Sequence, residues 1–198
     1  MSMARCCFTR WTPQNSILFV CDMQEKFRPN IHAFAEITQV SKRLIEAAKI
    51  LGMRTVVTEQ YPKGLGNTVP ELKEVLTPDT PIYDKTKFSM CAPLQPKDLE
   101  GIKNVLLVGI EAHVCVLQTT HDLLDKGVDV HVIVDGVSSR SRTDRKYAFK
   151  QMERAGANLT TSECVILGLL GGSDHPKFRE VQKLIIQSAP DTGLVHKL

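Results

Sequence analysis

Three residues of this chain have types and settings suited to making and breaking a bond at a carbonyl carbon: Cys115, Asp22 and Lys85. Cys115 lies just beyond the apolar run Val105–Val108, which Gly109 interrupts. After the glycine, apolar positions recur at Val114, Leu117, Thr120/His121 and Leu124, the spacing of a helix face. The thiol therefore falls in or near the first turn of a helix that follows a buried strand. Free N–H groups and the positive end of the helix dipole gather there and favour a thiolate, which makes Cys115 a candidate nucleophile. The bland alternative is a small buried hydrophobe, as most cysteines are.

Such a thiol needs a base and a cationic neighbour. Asp22, which closes the apolar run Ser16–Cys21, is a base able to take the thiol proton and hand it to a leaving amine. Lys85, after Pro81–Asp84, would stabilise the thiolate and hold the carboxylate. Taken singly, an aspartate at a strand end is a turn residue and a lysine faces solvent. The argument rests on their convergence, with Lys87 as the rival lysine.

The elements that must bring them together follow from periodicity. Strands are expected at Ser16–Asp22, Arg54–Thr58, Pro81–Asp84, Val105–Gly109, Val128–Asp135 and Asn158–Thr161. Helices are expected over Ile37–Leu51, Val114–Lys126, from Ser141 or Thr143 to Ala155, Ser162–Leu170 and Phe178–Ile186, several closed by glycine. Glu59–Pro70 and Lys85–Pro96 are expected to be long loops. Alternating strands and helices imply an α/β fold, a parallel sheet covered on both faces as three layers. Ligands of such sheets bind beyond the carboxyl ends of the strands, and all three reactive residues sit at those ends.

Bulk properties narrow the field. The chain has 198 residues, 42% hydrophobic and 24% charged, which suits one globular domain over 16–198 preceded by a flexible tail over 1–15. A net charge of +3 without a basic stripe argues against nucleic acid, and no apolar run is long enough for a membrane span. The six cysteines show no framework spacing, which points to a reducing compartment. Cytoplasmic location is the expectation. A mitochondrial presequence is the rival reading of the acid-free, arginine-bearing start, although Pro13 interrupts it. No G-x-G-x-x-G or P-loop follows the first strand, which argues against a nucleotide site. A metal site of His113, Cys115 and His121 is a weaker reading, since no second cluster supports it, and so is a His113–Cys115 dyad, since nearby positions in a tight loop rarely aim both side chains at one point. Cys21, Cys91 and Cys164 read as core or near-site thiols, with Cys91 the one to watch for oxidation because its loop can lie near Cys115.

Four segments together resemble one family. Val20-Cys-Asp-Met-Gln-Glu-Lys-Phe27 is similar to a D-x-Q-x-x-F opening, and Asp84-Lys85-Thr-Lys-Phe88-Ser89 to a K-x-x-[FY]-S segment. Gly109-Ile-Glu-Ala-His-Val-Cys115 resembles a nucleophile loop, and Asp135-Gly-Val-Ser-Ser-Arg140 the segment after strand five. The chain is identified in this way as a member of the isochorismatase-like cysteine hydrolases. The Thr58–Gly66 loop resembles the animal isochorismatase domain-containing branch, also labelled MAR1-like ribonuclease.

The resemblance implies a six-stranded parallel sheet in the order 3-2-1-4-5-6 and an Asp22–Lys85–Cys115 triad. It also implies a cis peptide at Ile110–Glu111 that pairs the N–H groups of Glu111 and Cys115 as an oxyanion hole. The reaction implied is attack on a small, amide-type carbonyl substrate, a thioester intermediate, loss of an amine and hydrolysis. A homo-oligomer is expected on the same ground. Gln24, Phe27, Tyr61, Phe88 and His113 are candidate pocket residues.

Two departures matter. The D-x-H-x-x-H metal motif of the nicotinamidases is replaced here by Glu59-Gln-Tyr-Pro-Lys63, which lacks imidazole, so no metal and no cofactor are expected. Isochorismate hydrolases lack the cysteine that is present here. The rival function is a catalytically idle fold that acts by binding another protein.

Overall fold

The computed structural model describes residues 10–193. Six strands form one sheet: β1 (Ser16–Cys21), β2 (Arg54–Gln60), β3 (Ile82–Lys85), β4 (Asn104–Gly109), β5 (Asp129–Val137) and β6 (Asn158–Thr160). All neighbours are parallel, in the order β3-β2-β1-β4-β5-β6. β1 and β4 lie at the centre and are buried at every position, as strands covered on both faces must be.

Alternation along β1 sorts its side chains between two cores. Leu18 and Val20, with Leu106 and Val108 of β4, pack under helices α1 (Phe34–Leu51), α6 (Ser162–Leu170) and α7 (Phe178–Ile185). Ile17, Phe19 and Cys21, with Val105 and Leu107, face the other way. There they meet Val116, Leu123 of α4 (Leu117–Asp125), and Ala148, Phe149 and Met152 of α5 (Arg142–Ala155). This is the three-layer arrangement the alternation implied.

Several boundaries differ from expectation for physical reasons. The stretch expected to be one loop over Glu59–Pro70 continues β2 to Gln60, because Glu59 and Gln60 pair with Asp84 and Lys85 of β3. It then makes two single-turn helices, α2 (Pro62–Leu65) and α3 (Pro70–Lys73), each with proline in its first turn. Lys85 is the last residue of β3 rather than the first of a loop. The helix after β4 opens earlier than expected, as a π-type turn over Ala112–Val116 that runs into α4. Ser141, not Thr143, caps α5, its hydroxyl accepting the Asp144 N–H at 3.2 Å. At the amino-terminal side, residues 1–9 of the expected tail lie outside the described residues. Trp11 is already packed, its ring edge-on to His131 at 5.1 Å.

Candidate active site

β1 ends at Cys21, and Asp22 leaves the strand at φ 51°. That positive φ is uncommon for a residue with a side chain but is tolerated best by Asp and Asn. It releases the carboxylate from strict alternation. The Asp22 N–H donates to the Thr58 carbonyl at 3.1 Å, which keeps the backbone of the turn against β2. Asp22 is 1% exposed, so its charge requires partners. Thr58 Oγ1 donates to Oδ1 at 2.8 Å, and Lys85 Nζ donates to Oδ2 at 2.6 Å.

The lysine is equally enclosed. Its ammonium has three N–H groups, and three acceptors surround it: Asp22 Oδ2, Gln60 Oε1 at 2.7 Å and the Phe88 carbonyl at 2.8 Å. Burial pulls the Lys85 pKa down, but the acidic groups around it, Cys21, Asp22 and Cys115, outweigh burial and raise it above the ordinary lysine value. We attribute most of the reversal to Asp22, the only one of the three in direct ionic contact. Lys85 is therefore a fixed cation at neutral pH. Lys87, the rival, is exposed.

Cys115 is the fourth residue of the opening turn Ala112–Val116 and keeps 7% exposure. Its N–H is among the first four of the helix, which have no partner one turn back. The Ile110–Glu111 peptide just before is cis. The loop is tied to the segment after β5: the Ala112 N–H donates to the Ser138 carbonyl at 2.8 Å, and the Arg140 N–H donates to Glu111 Oε2 at 3.0 Å. It is tied to the lysine's loop as well. Thr119 Oγ1 donates to the Cys115 carbonyl at 2.6 Å and accepts the Met90 N–H at 2.9 Å.

The sulfurs of Cys115 and Cys21 and an Asp22 carboxylate oxygen all lie within 4.8 Å of one another. The structure thus brings Asp22, Lys85 and Cys115 together at the carboxyl end of the central strands. Among the described residues this is the one group of three or more Cys, His, Asp or Glu side chains spaced for a metal ion. Its donor set fits a cation poorly. Both Asp22 oxygens already accept hydrogen bonds, one from an ammonium that would repel a metal.

The candidate pocket residues divide. Tyr61 and Phe88 are exposed at 54% and 49%. Their backbones adjoin the lysine, the Tyr61 N–H donating to the Lys85 carbonyl at 2.9 Å and the Phe88 carbonyl accepting from Nζ. His113 is half-buried with Nδ1 3.0 Å from Ser139 Oγ. Gln24 is fully buried, and its amide serves as a brace. Its Oε1 accepts the Gln60 N–H at 2.6 Å, and its Nε2 donates to the carbonyls of Gln60 and Gly66 at 3.0 and 2.6 Å. Phe27 packs against the core under α1, across the sheet from the Cys115 layer. Sequence reasoning missed Thr58 and Gln60, which complete the shells of Asp22 and Lys85. No local signal marked them, since both contacts arise from the pairing of β2 with β1 and β3. Of the thiols read as core or near-site, Cys21 is the one whose sulfur lies within 4.8 Å of that of Cys115, while Cys91 packs at the margin of the same layer.

Comparison with known proteins gives the family of the chain. The isochorismatase domain matches residues 16–164. Isochorismatase domain-containing protein 2 of Xenopus laevis is 52% identical over 185 residues, 92% of this chain and 89% of that protein. The solved structure of MAR1 ribonuclease from Caenorhabditis elegans superposes with a TM-score of 0.93 at 69% identity, covering 95% of this chain and 98% of that one. The YcaC gene product of Escherichia coli, described as an octameric hydrolase of unknown specificity, shares the fold at a TM-score of 0.75 and 22% identity, covering 89% of this chain and 96% of its own. With three quarters of its length matched by the domain and half of its residues shared with a full-length relative, this chain belongs to the isochorismatase family and carries its hydrolase fold.

Proposed function

We propose that the protein is a cysteine hydrolase of a small, amide-type carbonyl substrate, working through Cys115, Asp22 and Lys85 without a metal or cofactor. The observation that carries this reading is the buried Lys85–Asp22 ion pair with the Cys115 sulfur within 4.8 Å of the carboxylate. A buried pair of this kind is weak support for stability alone. Beside a helix-terminal thiol it is a device for moving a proton.

In the proposed sequence Asp22 takes the Cys115 proton and the thiolate attacks the carbonyl carbon. The negative charge that develops on oxygen is received by the N–H groups of Glu111 and Cys115. Asp22 returns the proton to the departing amine, leaving a thioester. A water molecule, deprotonated by Asp22, attacks the thioester carbon; the C–S bond breaks, the acid product is released, and Asp22 returns its proton to the Cys115 sulfur. Lys85 stays charged throughout and keeps Asp22 oriented. Tyr61, Phe88 and His113 line the approach in this reading, and Gln24 and Phe27 support it from behind.

The protein is proposed to act in the cytoplasm as a homo-oligomer; light scattering of the purified chain reads the assembly. No helix among the described residues is long and apolar enough to cross a membrane. The ribonuclease name belongs to the C. elegans relative. For this chain a buried thiol and carboxylate suit acyl transfer better than phosphodiester cleavage, and the basic residues form no stripe.

The test is a screen of small amides and related carbonyl compounds, with an RNA arm, using intact mass to trap acyl adducts. Adduct on Cys115 and turnover that Cys115→Ala abolishes support the hydrolase. RNA cleavage that survives Cys115→Ala overturns it. Alkylation of Cys115 no faster than the other accessible thiols also overturns it, in favour of an idle fold that binds a partner.

A further inference from the structure

Cys21 has no part in the reaction above, yet it occupies the reaction's centre. Ile17, Phe19 and Cys21 form one side-chain row of β1, all facing the layer that holds Cys115. Cys21 is the last of the row and pairs with Gly109, the residue at which the chain turns toward the nucleophile loop. Its sulfur lies within 4.8 Å of the Cys115 sulfur and of an Asp22 carboxylate oxygen. Cys21 has no exposure, whereas Cys115 keeps 7%. A small oxidant entering the cleft therefore meets Cys115 first.

We propose that Cys21 is a resolving thiol for Cys115, forming with it a reversible disulfide that masks the nucleophile when a hydroperoxide reaches the site. The inference rests on the reading of Cys115 as a thiolate nucleophile. The chemistry balances in two steps. Asp22 takes the Cys115 proton, the thiolate attacks one oxygen of hydrogen peroxide to give a Cys115 sulfenic acid, and the departing hydroxide takes that proton back from Asp22 and leaves as water. Cys21 then attacks the sulfenic sulfur, its proton passing to Asp22 and on to the departing hydroxide, which leaves as a second water. Two thiols are oxidised to one disulfide and one peroxide is reduced to two waters. A dithiol reverses it by exchange.

The surroundings suit this order of events. Burial, the hydrogen bond to Cys115 and the charge of Asp22 hold the Cys21 thiol well above the ordinary value, so it does not compete as the first nucleophile. Converting Cys115 to a neutral sulfenic acid removes its negative charge, while Lys85 continues to favour the Cys21 thiolate. Closing the bond brings the sulfurs from within 4.8 Å to about 2 Å. An arrested sulfenic acid would instead advance to the irreversible sulfinic state.

The experiment exposes the full-length protein and its Cys21→Ala variant to excess hydrogen peroxide. Free thiols are blocked and peptides mapped without reduction. The expected result is a Cys21–Cys115 linked peptide lacking two hydrogens, and full return of Cys115 labelling after dithiothreitol. In Cys21→Ala, Cys115 is lost to sulfinic acid and does not return. Sulfinic acid at Cys115 forming as fast in the wild type as in the variant overturns the proposal, as does a Cys115–Cys91 link. Should Cys21→Ala fail to fold, the wild-type peptide map decides alone. Iodoacetamide without peroxide separates the two readings. Fast alkylation of Cys115 in this arm, with no cross-link in the peroxide arm, refutes the resolving role and leaves the hydrolase standing. Slow alkylation with no oxidation refutes both.

Discussion

Lys85 Nζ stands 2.6 Å from Oδ2 of Asp22, and both side chains are only 1% exposed. Removing one partner strands the other as an uncompensated buried charge. Lys85→Met is expected to cost about 3–5 kcal/mol of stability. It should also slow Cys115 alkylation near neutral pH, because the thiol loses its nearby cation and Asp22 loses its orientation. Urea unfolding and iodoacetamide kinetics on the same preparations check the pair. Unchanged stability would mean that the ion pair is not closed in solution.

Thr58→Val keeps the shape of β2 but deletes the hydroxyl that donates to Asp22 Oδ1 at 2.8 Å. A hydrogen bond to a charged group contributes about 1.5–3 kcal/mol. A loss of that size is expected in urea, together with a displaced pH profile for Cys115 alkylation. A purely structural role for Thr58 would lower stability and leave the profile where it was.

Gly109→Ala probes the junction of the two central strands. Gly109 has φ 113°, and an added methyl would fall on the carbonyl oxygen of Cys21. Backbone cannot yield as a flexible side chain does, so a cost above about 4 kcal/mol or failure to fold is expected. Gly156→Ala is the control. There φ is 107° with nothing within 4 Å of the added carbon, so it should cost only the left-handed penalty of about 1–2 kcal/mol. Equal melting curves for the two variants would contradict the close approach.

His131 gives a pH dependence. It is fully buried, with Nε2 3.0 Å from Asn104 Oδ1 and Trp11 edge-on to its ring. Burial lowers its pKa to about 4 from 6.5, opposed only in part by the charge of Asp129. Below pH 6.5 the unfolded chain takes up a proton that the native state refuses. The native advantage present above pH 6.5 is therefore withdrawn as pH falls toward 4. Between pH 7 and pH 5 this amounts to about 2 kcal/mol. Urea midpoints at the two pH values should show it, and His131→Gln should flatten that part of the slope.

What was legible in the sequence was what local pattern carries. The run Ser16–Cys21 ended in a carboxylate, Gly109 broke the run before Cys115, and strand alternated with helix, so the layers and the edge holding the three groups could be read directly. The strand order came from the family resemblance, since periodicity holds no information about which strands are neighbours. Contacts across strands were invisible for the same reason. Thr58 and Gln60 reach Asp22 and Lys85 only through the β2 pairings with β1 and β3. Cys21 faces Cys115 because of its place in the β1 alternation, which no motif marks. The short helices α2 and α3 escaped because four residues are too few to show a period.

The brace made by Gln24 has a wider meaning. Its single amide grips the backbone at both Gln60 and Gly66, so the five residues between, with Tyr61 at their head, are anchored at two fixed points. The acid follows the end of β1, the amine ends β3 and the sulfur sits in the turn after β4, so none of the three lies within that span. In the proposed reading, the Tyr61 side of the approach can thus be rewritten without touching the three reacting groups, whereas Phe88 and His113 travel with the lysine's loop and the nucleophile's turn.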